Sequence, residues 1–312
     1  MNFQQLRIIR EAVQQNFNLT GVAETLHTSQ SGVSKHIKDL EDELKVEIFI
    51  RRGKRLVGLT DPGKELLPIV DRLLIDAKNI KRLAEQFSGT DSGRLTIATT
   101  HTQARYTLPP IVSKFSKIFP KVELVLHQGG PSEIVSLLAT GTADVGIATE
   151  ALSSIQDFVT FPYYTWNHSA IVPDGHPLLD ADSLTIEQLA TWPIITYSEG
   201  VTGRAHVDAA FLRAGLTPKI VMSALDADVI KAYVEIGMGV GIVASMAFDA
   251  SRDQGLRPIS SEHLFEANTT SIALRRGSYL RGFACRFIEL CIPGMTETEI
   301  RRQAMAPKDT GG

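Results

Sequence analysis

The chain has 312 residues, 43% of them hydrophobic, and a formal net charge of −3. That length and apolar content support two or three domains with real cores, and the near-neutral charge excludes a general coater of polyanions. No apolar run approaches the roughly 18 residues of a membrane helix, the opening MNFQQLRIIREAVQQ has no apolar h-region, and two cysteines, Cys285 and Cys291, make no disulfide scaffold. The expectation is a cytoplasmic protein without a membrane partner.

The first informative stretch is Leu19 to Leu40, LTGVAETLHTSQSGVSKHIKDL. Leu19, Val22, Ala23 and Leu26 form one apolar helix face. His27-Thr28-Ser29 breaks the helix, and Thr28 or Ser29 can cap the next one. Val33, Ile37 and Leu40 give that second helix a buried face, while Gln30, Ser31, Ser34, Lys35 and Lys38 line its other face. In a helix-turn-helix the early residues of the second helix meet base edges, and Lys and hydroxyls grip phosphate. The alternative is an ordinary helical hairpin with a solvated face. Two short apolar runs, Ile48–Ile50 and Leu56–Val57, then flank Arg51, Arg52, Gly53, Lys54 and Arg55. They predict a β-hairpin wing that sets cations beside a phosphate backbone, or else a basic surface turn. Through Phe87 there are 14 Lys and Arg against 12 Asp and Glu, and beyond it 18 against 23. Positive charge is therefore concentrated at this wing and helix rather than spread.

Thr60-Asp61-Pro62 is a helix start, with a capping residue and then Pro in the first turn. Leu66, Val70, Leu73, Ala77, Ile80, Ala84 and Phe87 follow at alternating spacings of four and three. That is a heptad seam on a helix on the order of 40 Å long. It fits pairing with a second copy, or packing on its own domain. SGTDSG at 88–93 reads as a flexible linker.

From Arg94 strands and helices alternate. Strands are predicted at 94–98, 122–127 and 145–148, then at 169–172, 194–197, 220–223, 240–244 and 270–274. Helices are predicted at 103–118, 131–139, 203–214, 227–236 and 280–290. Such alternation predicts parallel sheets covered by helices, in two lobes with a cleft between them. The domains expected are a DNA-binding domain at 1–60, a linker helix at 61–88, lobe I at 89–163 and 267–292, lobe II at 164–266, and a frayed tail at 293–312. At strand ends and helix starts, Thr99 to Gln103, Thr149-Glu150 and Gly200 to Gly203 offer hydroxyl and amide donors. They would hold an oxyanion through neutral groups, or serve only as helix caps. Trp166-Asn167-His168 opens lobe II and either lines the same cleft or places Trp166 in the core.

The segments LTGVAETL and TSQSGVSKHIKDLEDEL, the IFIRRGKRL wing and the TDPG helix start resemble the LysR-type transcriptional regulators. ATTHTQARYTLP at 98–109, IATEAL at 147–152, TGRAHVDAAFLRAGLTP at 202–218 and DADVIKAYVEIGMGVGIVASMA at 226–247 are similar to the sulfur-assimilation regulators of the CysB and Cbl kind. The resemblance runs from Met1 to about Leu290. It implies a winged helix-turn-helix, a linker helix, and an α/β effector domain of two Rossmann-like, periplasmic-binding-protein-like lobes. It further implies a homotetramer or dimer acting on double-stranded promoter DNA. A sulfate-type anion would be held at Thr100, Thr102, Gln103, Thr149 and Thr202. Sulfate, thiosulfate, O- or N-acetylserine and adenosine phosphosulfate are the effectors it allows. MNFQQL, SQSGVS and RRGKRL are nearer the Cbl type and IATEAL nearer the CysB type.

Other motifs fall away. Gly237-Met238-Gly239-Val240-Gly241 follows a helix and precedes a strand, the reverse of a dinucleotide loop. The eight histidines are scattered without ligand spacing, so no metal is expected. No cofactor motif, G-x-S-x-G elbow or Walker loop is present. Two rivals remain: a small-anion solute-binding protein, and an enzyme using the cleft, although no nucleophile–base pair supports the latter.

Overall fold

A computed structural model of the chain describes residues 1–53, 55–87, 92–149 and 152–306. It comprises two compact units, Met1–Glu85 and Gln86–Gly312.

In the first unit, α1 (Phe3–Gln14), α2 (Leu19–Thr25) and α3 (Gln30–Leu44) precede a hairpin of β1 (Phe49–Arg52) and β2 (Arg55–Leu59). Each helix has a capping side chain. Asn2 and Gln5 form a reciprocal capping box, Asn18 accepts from Thr20 and Gly21 N–H, and Ser29 accepts from Gly32 N–H. Ile8, Ile9, Val22, Val33, Ile37, Leu40, Ile48 and Phe49 share one core. α1 escaped the sequence reading, although its Asn2–Gln5 box and the spacing of Leu6, Ile9 and Val13 are helix signals. α4 spans Asp61–Phe87, with Thr60 Oγ1 accepting from Gly63 N–H at 3.1 Å. Gly63 is required there, because a Cβ would collide with the Ile48 carbonyl oxygen. Pro68 lies inside α4 and removes one bond of its ladder. The apolar seam divides. Val70 is buried with Leu6 and with Leu74 from outside the seam, whereas the seam residues Leu73, Ile80 and Phe87 are exposed.

The second unit holds two five-stranded sheets. Lobe I has the order β4-β3-β5-β12-β6, formed by β3 (Ser92–Thr99), β4 (Lys121–Gln128), β5 (Val145–Thr149), β6 (Phe158–Trp166) and β12 (Asn268–Arg275). Lobe II has the order β11-β7-β10-β8-β9, formed by β7 (His168–Pro173), β8 (Pro193–Tyr197), β9 (Lys219–Ala224), β10 (Val240–Ala244) and β11 (Leu256–Ile259). The sheets are mixed, not parallel as expected. β3, β4 and β5 run parallel, as do β8, β9 and β10, but β12 pairs antiparallel with β5 and β6, and β7 antiparallel with β10 and β11. The departure arises because the chain changes lobe twice, from β6 to β7 and from β11 to β12, so the strand entering each lobe runs against its neighbours.

The helices are α5 (Leu108–Ile118), α6 (Pro131–Ala139), α7 (Ile186–Ala190), α8 (Arg204–Arg213), α9 (Ala227–Glu235), α10 (Gly282–Cys291) and α11 (Glu297–Met305). Period-two alternation sorts the lobe II strands between two helix layers. Ile194 and Ile242 face Val207 and Phe211 of α8, while Ile195 and Val243 face Ile230 and Val234 of α9. Burying each such side chain contributes about 1.5–3 kcal/mol. Within the tail expected to fray, Glu297–Met305 forms α11, and residues 307–312 lie outside the described residues. Thr296 caps α11, and Ile300 and Ala304 are buried in the lobe I core. Cys285 and Cys291 are free and buried on α10, and burial pushes both thiols up to about 12.

Candidate functional site

On α3, Gln30, Ser31, Lys35 and Lys38 are exposed and Ser34 is partly so; Ser31, Lys35 and Lys38 lie away from the buried Val33, Ile37 and Leu40, while Gln30 stands at the exposed start of their stripe. The wing is tied to this helix by Glu41. Its buried carboxylate accepts Ile48 N–H at 2.8 Å and Phe49 N–H at 3.2 Å, and pairs with Arg51 at 2.6 Å. Arg51 is thus partly spent on holding the wing, while Arg52 is exposed. Lys54 lies outside the described residues, as do Glu150 and the linker residues 88–91.

In the effector unit, Thr100, Thr102, Gln103, Thr149 and Thr202 are each 5% exposed or less. Thr100 and Thr102 follow β3, Gln103 opens a π-helical turn (Gln103–Thr107), Thr149 ends β5, and Thr202 precedes α8. The expected single helix 103–118 is therefore a wide turn followed by α5, the kind of local widening that recurs at functional sites.

Gln103 and Thr149 meet through Thr270. Gln103 Nε2 donates to Thr270 Oγ1 at 3.2 Å, Trp166 Nε1 donates to it at 3.1 Å, and Thr149 Oγ1 lies 3.4 Å away. Tyr164 donates to Gln103 Oε1 at 2.6 Å and lies 3.0 Å from Thr107 Oγ1. Thr202 is tied to the same strand by another route. The His168 ring sits 3.2 Å from Thr202 O through Nε2 and 3.4 Å from Asn268 Nδ2 through Nδ1. This geometry places the ring hydrogen on Nε2 and leaves Nδ1 as the acceptor. Burial lowers His168 to about 4, so the ring is neutral at physiological pH. Trp166 is packed in the lobe II core and His168 is fully buried beside it, their rings 5.0 Å apart.

Thr202 has φ +45° and Gly203 φ +69°. A β-branched residue in the left-handed region costs on the order of 1–3 kcal/mol and persists only where its surroundings enforce it. Its hydroxyl is buried without a hydrogen-bond partner. The Thr102 hydroxyl is too, for it comes beside the Tyr197 phenol without forming a proper hydrogen bond. Each orphaned hydroxyl costs about 1–3 kcal/mol unless another group meets it. One buried cation stands nearby in sequence. Arg204 is spent on Asp208 at 2.7 Å and on Tyr197 O at 2.7 Å.

A second interlobe cluster follows directly on the turn. Asp228 of α9 pairs with Arg105 at 3.1 Å, accepts from Tyr106 at 2.6 Å and pairs with Lys231 at 3.1 Å. Burial raises the Asp228 carboxyl, but the hydrogen bonds from Tyr106, Lys231 and Arg105 outweigh it and hold the group at about 2. Lys231, 7% exposed, also bridges to Asp253 at 2.9 Å and to Ala247 O at 2.9 Å. A cavity of about 590 Å³ opens beside this cluster, walled by Pro109, Met246 and Phe248 as well. Ligand atoms of His101, Asp226 and Asp228 lie within 4.8 Å of one another, but Asp228 is already held by its cations and Asp226 caps α9.

The sequence reading did not find Thr270, Asn268, Tyr164 or the Asp228 cluster. Thr270 looked like an ordinary strand residue, and no local spacing reveals which strands it lies between.

Residues 3–64 match the model of the bacterial regulatory helix-turn-helix protein, LysR family, and residues 88–295 match the LysR substrate binding domain. This chain belongs to the LysR family of transcriptional regulators. It is 57% identical over 300 residues to the HTH-type transcriptional regulator SsuR of Burkholderia cenocepacia, covering 96% of this chain and 97% of that one. It is 53% identical over 305 residues to the HTH-type transcriptional regulator cbl of Escherichia coli, covering 98% and 96%. The crystal structure of the cofactor-binding domain of the Cbl transcriptional regulator superposes with a TM-score of 0.67 at 49% identity, covering 69% of this chain and 95% of that one. The two-lobed architecture is that of the family, and the regulator is not an enzyme. The solute-binding and catalytic alternatives fall with that membership.

Proposed function

We propose that this regulator is a cytoplasmic DNA-binding protein that controls sulfur-acquisition genes in response to a small sulfur-linked oxyanion in the interlobe cleft. The observation that carries the reading is the pair of buried hydroxyls, Thr102 and Thr202, that have no hydrogen-bond partner among the described residues. Thr102 directly precedes Gln103, whose amide keeps one Nε2 hydrogen beyond its bond to Thr270. Neutral donors suit an anion that is fully ionised without their help, and sulfate and thiosulfate fit best. Acetylserine or adenosine phosphosulfate would use the same donors through carboxylate or sulfate groups.

The output end is α3 and the wing. Gln30, Ser31 and Ser34 would face base edges, and Lys35, Lys38, Arg51, Arg52 and Lys54 the phosphates. The exposed Leu73, Ile80 and Phe87 of α4 support pairing with a second copy, and two such pairs would make the homotetramer. An anion that binds one lobe arrangement better than another shifts the population toward it, and through the oligomer shifts how the reading heads meet promoter DNA.

Calorimetry with sulfate and thiosulfate tests the cleft. Thr102→Ala and Thr202→Ala should each weaken binding about tenfold or more while leaving basal DNA binding intact, since each removes a charge-assisted donor. Wild-type affinity in both variants refutes the assignment. Gel shifts on a sulfur-gene promoter test the output. Lys35→Ala should lower the salt slope of binding by about one if Lys35 grips phosphate, and absence of sequence-specific binding at moderate salt refutes the reading.

A further inference from the structure

Thr270 is fully buried, and three polar groups crowd its hydroxyl: Gln103 Nε2, Trp166 Nε1 and Thr149 Oγ1. A hydroxyl has two acceptor positions and one hydrogen. The indole N–H can only donate. The Gln103 amide is oriented by Tyr164, whose hydroxyl donates to Oε1, so it is Nε2 that faces Thr270. Both acceptor positions of Thr270 are therefore filled, and its hydrogen goes to Thr149. Thr149 then acts as the acceptor of that bond, and its own hydrogen turns elsewhere.

The fold sets this arrangement. In the ladder between β5 and β12, Thr270 stands opposite Thr149. In the ladder between β6 and β12 it stands opposite Tyr164, and the register shifts between Thr270 and Ser271 so that Tyr163 is passed over. Bulges of this kind re-aim side chains and concentrate next to binding sites.

We propose that Thr270 is a positioning residue of the anion site. It does not touch the anion. It fixes the hydrogen polarity of Thr149 and, together with Tyr164, that of Gln103, so that Gln103 presents its second N–H and Thr149 its O–H as donors. With those directions fixed before binding, an oxyanion meets preorganised hydrogens, and a hydroxyl that had to rotate first would bind it less well. The proposal rests on the reading of the cleft as an anion site.

The test titrates full-length protein with sulfate and with thiosulfate by calorimetry, in wild type, Thr270→Val and Thr270→Ser, with melting followed by tryptophan emission. Val keeps the shape and removes the hydroxyl, whereas Ser keeps the hydroxyl. Thr270→Val should lose affinity about tenfold or more, and Thr270→Ser should return it to within about threefold of wild type. A purely structural role would lower the melting temperature without separating the two variants in affinity. Wild-type affinity in Thr270→Val overturns the proposal, as does a Ser variant as weak as the Val variant. If Thr270→Val does not fold, Trp166→Phe replaces it. This substitution frees one acceptor position, lets Thr149 donate inward, and should weaken binding about threefold; unchanged affinity overturns the proposal. If wild type binds neither anion, the reading of the cleft as a site for free sulfate or thiosulfate falls and takes this proposal with it. Wild-type binding with Thr270→Val unaffected overturns the role of Thr270 and leaves the cleft reading standing.

Discussion

Acidification should destabilise the effector unit through His168. Its ring is fully buried between Trp166 and Phe265, with centroids 5.0 and 5.7 Å away. Protonating Nδ1 would set a hydrogen against the Asn268 amide, which faces it through Nδ2 at 3.4 Å. The ring's ordinary value of 6.5 falls to about 4 on folding, with burial as the main cause. Between those values the unfolded chain binds a proton that the folded chain does not, so stability rises with pH and is lost on acidification. At about 1.4 kcal/mol per pH unit, the penalty reaches about 2 kcal/mol at pH 5, about 3 at pH 4, and is negligible above pH 7. Urea unfolding followed by tryptophan emission isolates the effector unit, because Trp166 and Trp192 both lie in it. Wild type should lose about 2 kcal/mol more than His168→Gln between pH 7.5 and pH 5. Contributions common to both proteins cancel in the difference. Parallel pH profiles for the two would refute the reasoning.

Gly203→Ala should cost the effector unit at least about 2 kcal/mol, because its φ of +69° disfavours a side chain. The new Cβ would also collide with Asn268 Oδ1 and approach His168 Cε1 to 2.7 Å; an unchanged melting temperature would show that the 202–203 turn adapts. Glu41→Ala strands two backbone N–H groups and the Arg51 guanidinium. It should destabilise the DNA-binding unit by about 2–3 kcal/mol and weaken promoter binding through the wing, and wild-type promoter affinity would detach the wing from binding. Asp228→Asn should speed anion release roughly two- to fivefold, a modest effect because Asp228 is 41% exposed and its ion pairs are screened. Stopped-flow dissociation rates equal to wild type would remove the cluster from lobe closure.

Elements with a strong local signature were legible. The recognition helix showed itself through Ser29 and the spacing of Val33, Ile37 and Leu40. α4 showed itself through Thr60-Asp61-Pro62, and the β8 and β10 strands through short apolar runs between Gly and Pro. What failed was non-local. The antiparallel strands β12 and β7 look like any others along the chain, because direction is set by the two crossovers between lobes. β6 contains Pro162, which demotes a strand on sequence grounds, yet it lies at the sheet edge, where the missing N–H is tolerated. α11 opens with Thr296 and Glu299, a cap signal overlooked because the segment beyond it is polar. In the proposed site, candidate donors on helix starts and strand ends could be nominated from chemistry, but Thr270 and Asn268 could not. Their importance lies in what faces them across the sheet.

The π-helical turn joins these findings. In an α-helix, Gln103 and Arg105 would diverge by about 200° around the axis, and a wider turn changes which of its side chains share a direction. Here Gln103 points to Thr270 on lobe I's own sheet, while Arg105 and Tyr106 reach Asp228 on lobe II. One short segment therefore touches Thr270, beside the proposed anion donors, on one side and the interlobe cluster on the other. Any shift of Gln103 toward a ligand must move Arg105 and Tyr106 with it, because they follow only two and three positions later and the turn is continuous with α5. The Tyr106 ring lies 5.2 Å beneath the Lys231 ammonium, so its displacement disturbs the ion pairs of Asp228 and Asp253 together. Coupling between cleft and lobe arrangement thus needs no distant pathway. It requires only that Gln103 and Tyr106 be carried by the same rigid turn, and a substitution that lets the turn relax, such as Thr107→Gly, should separate anion affinity from lobe closure.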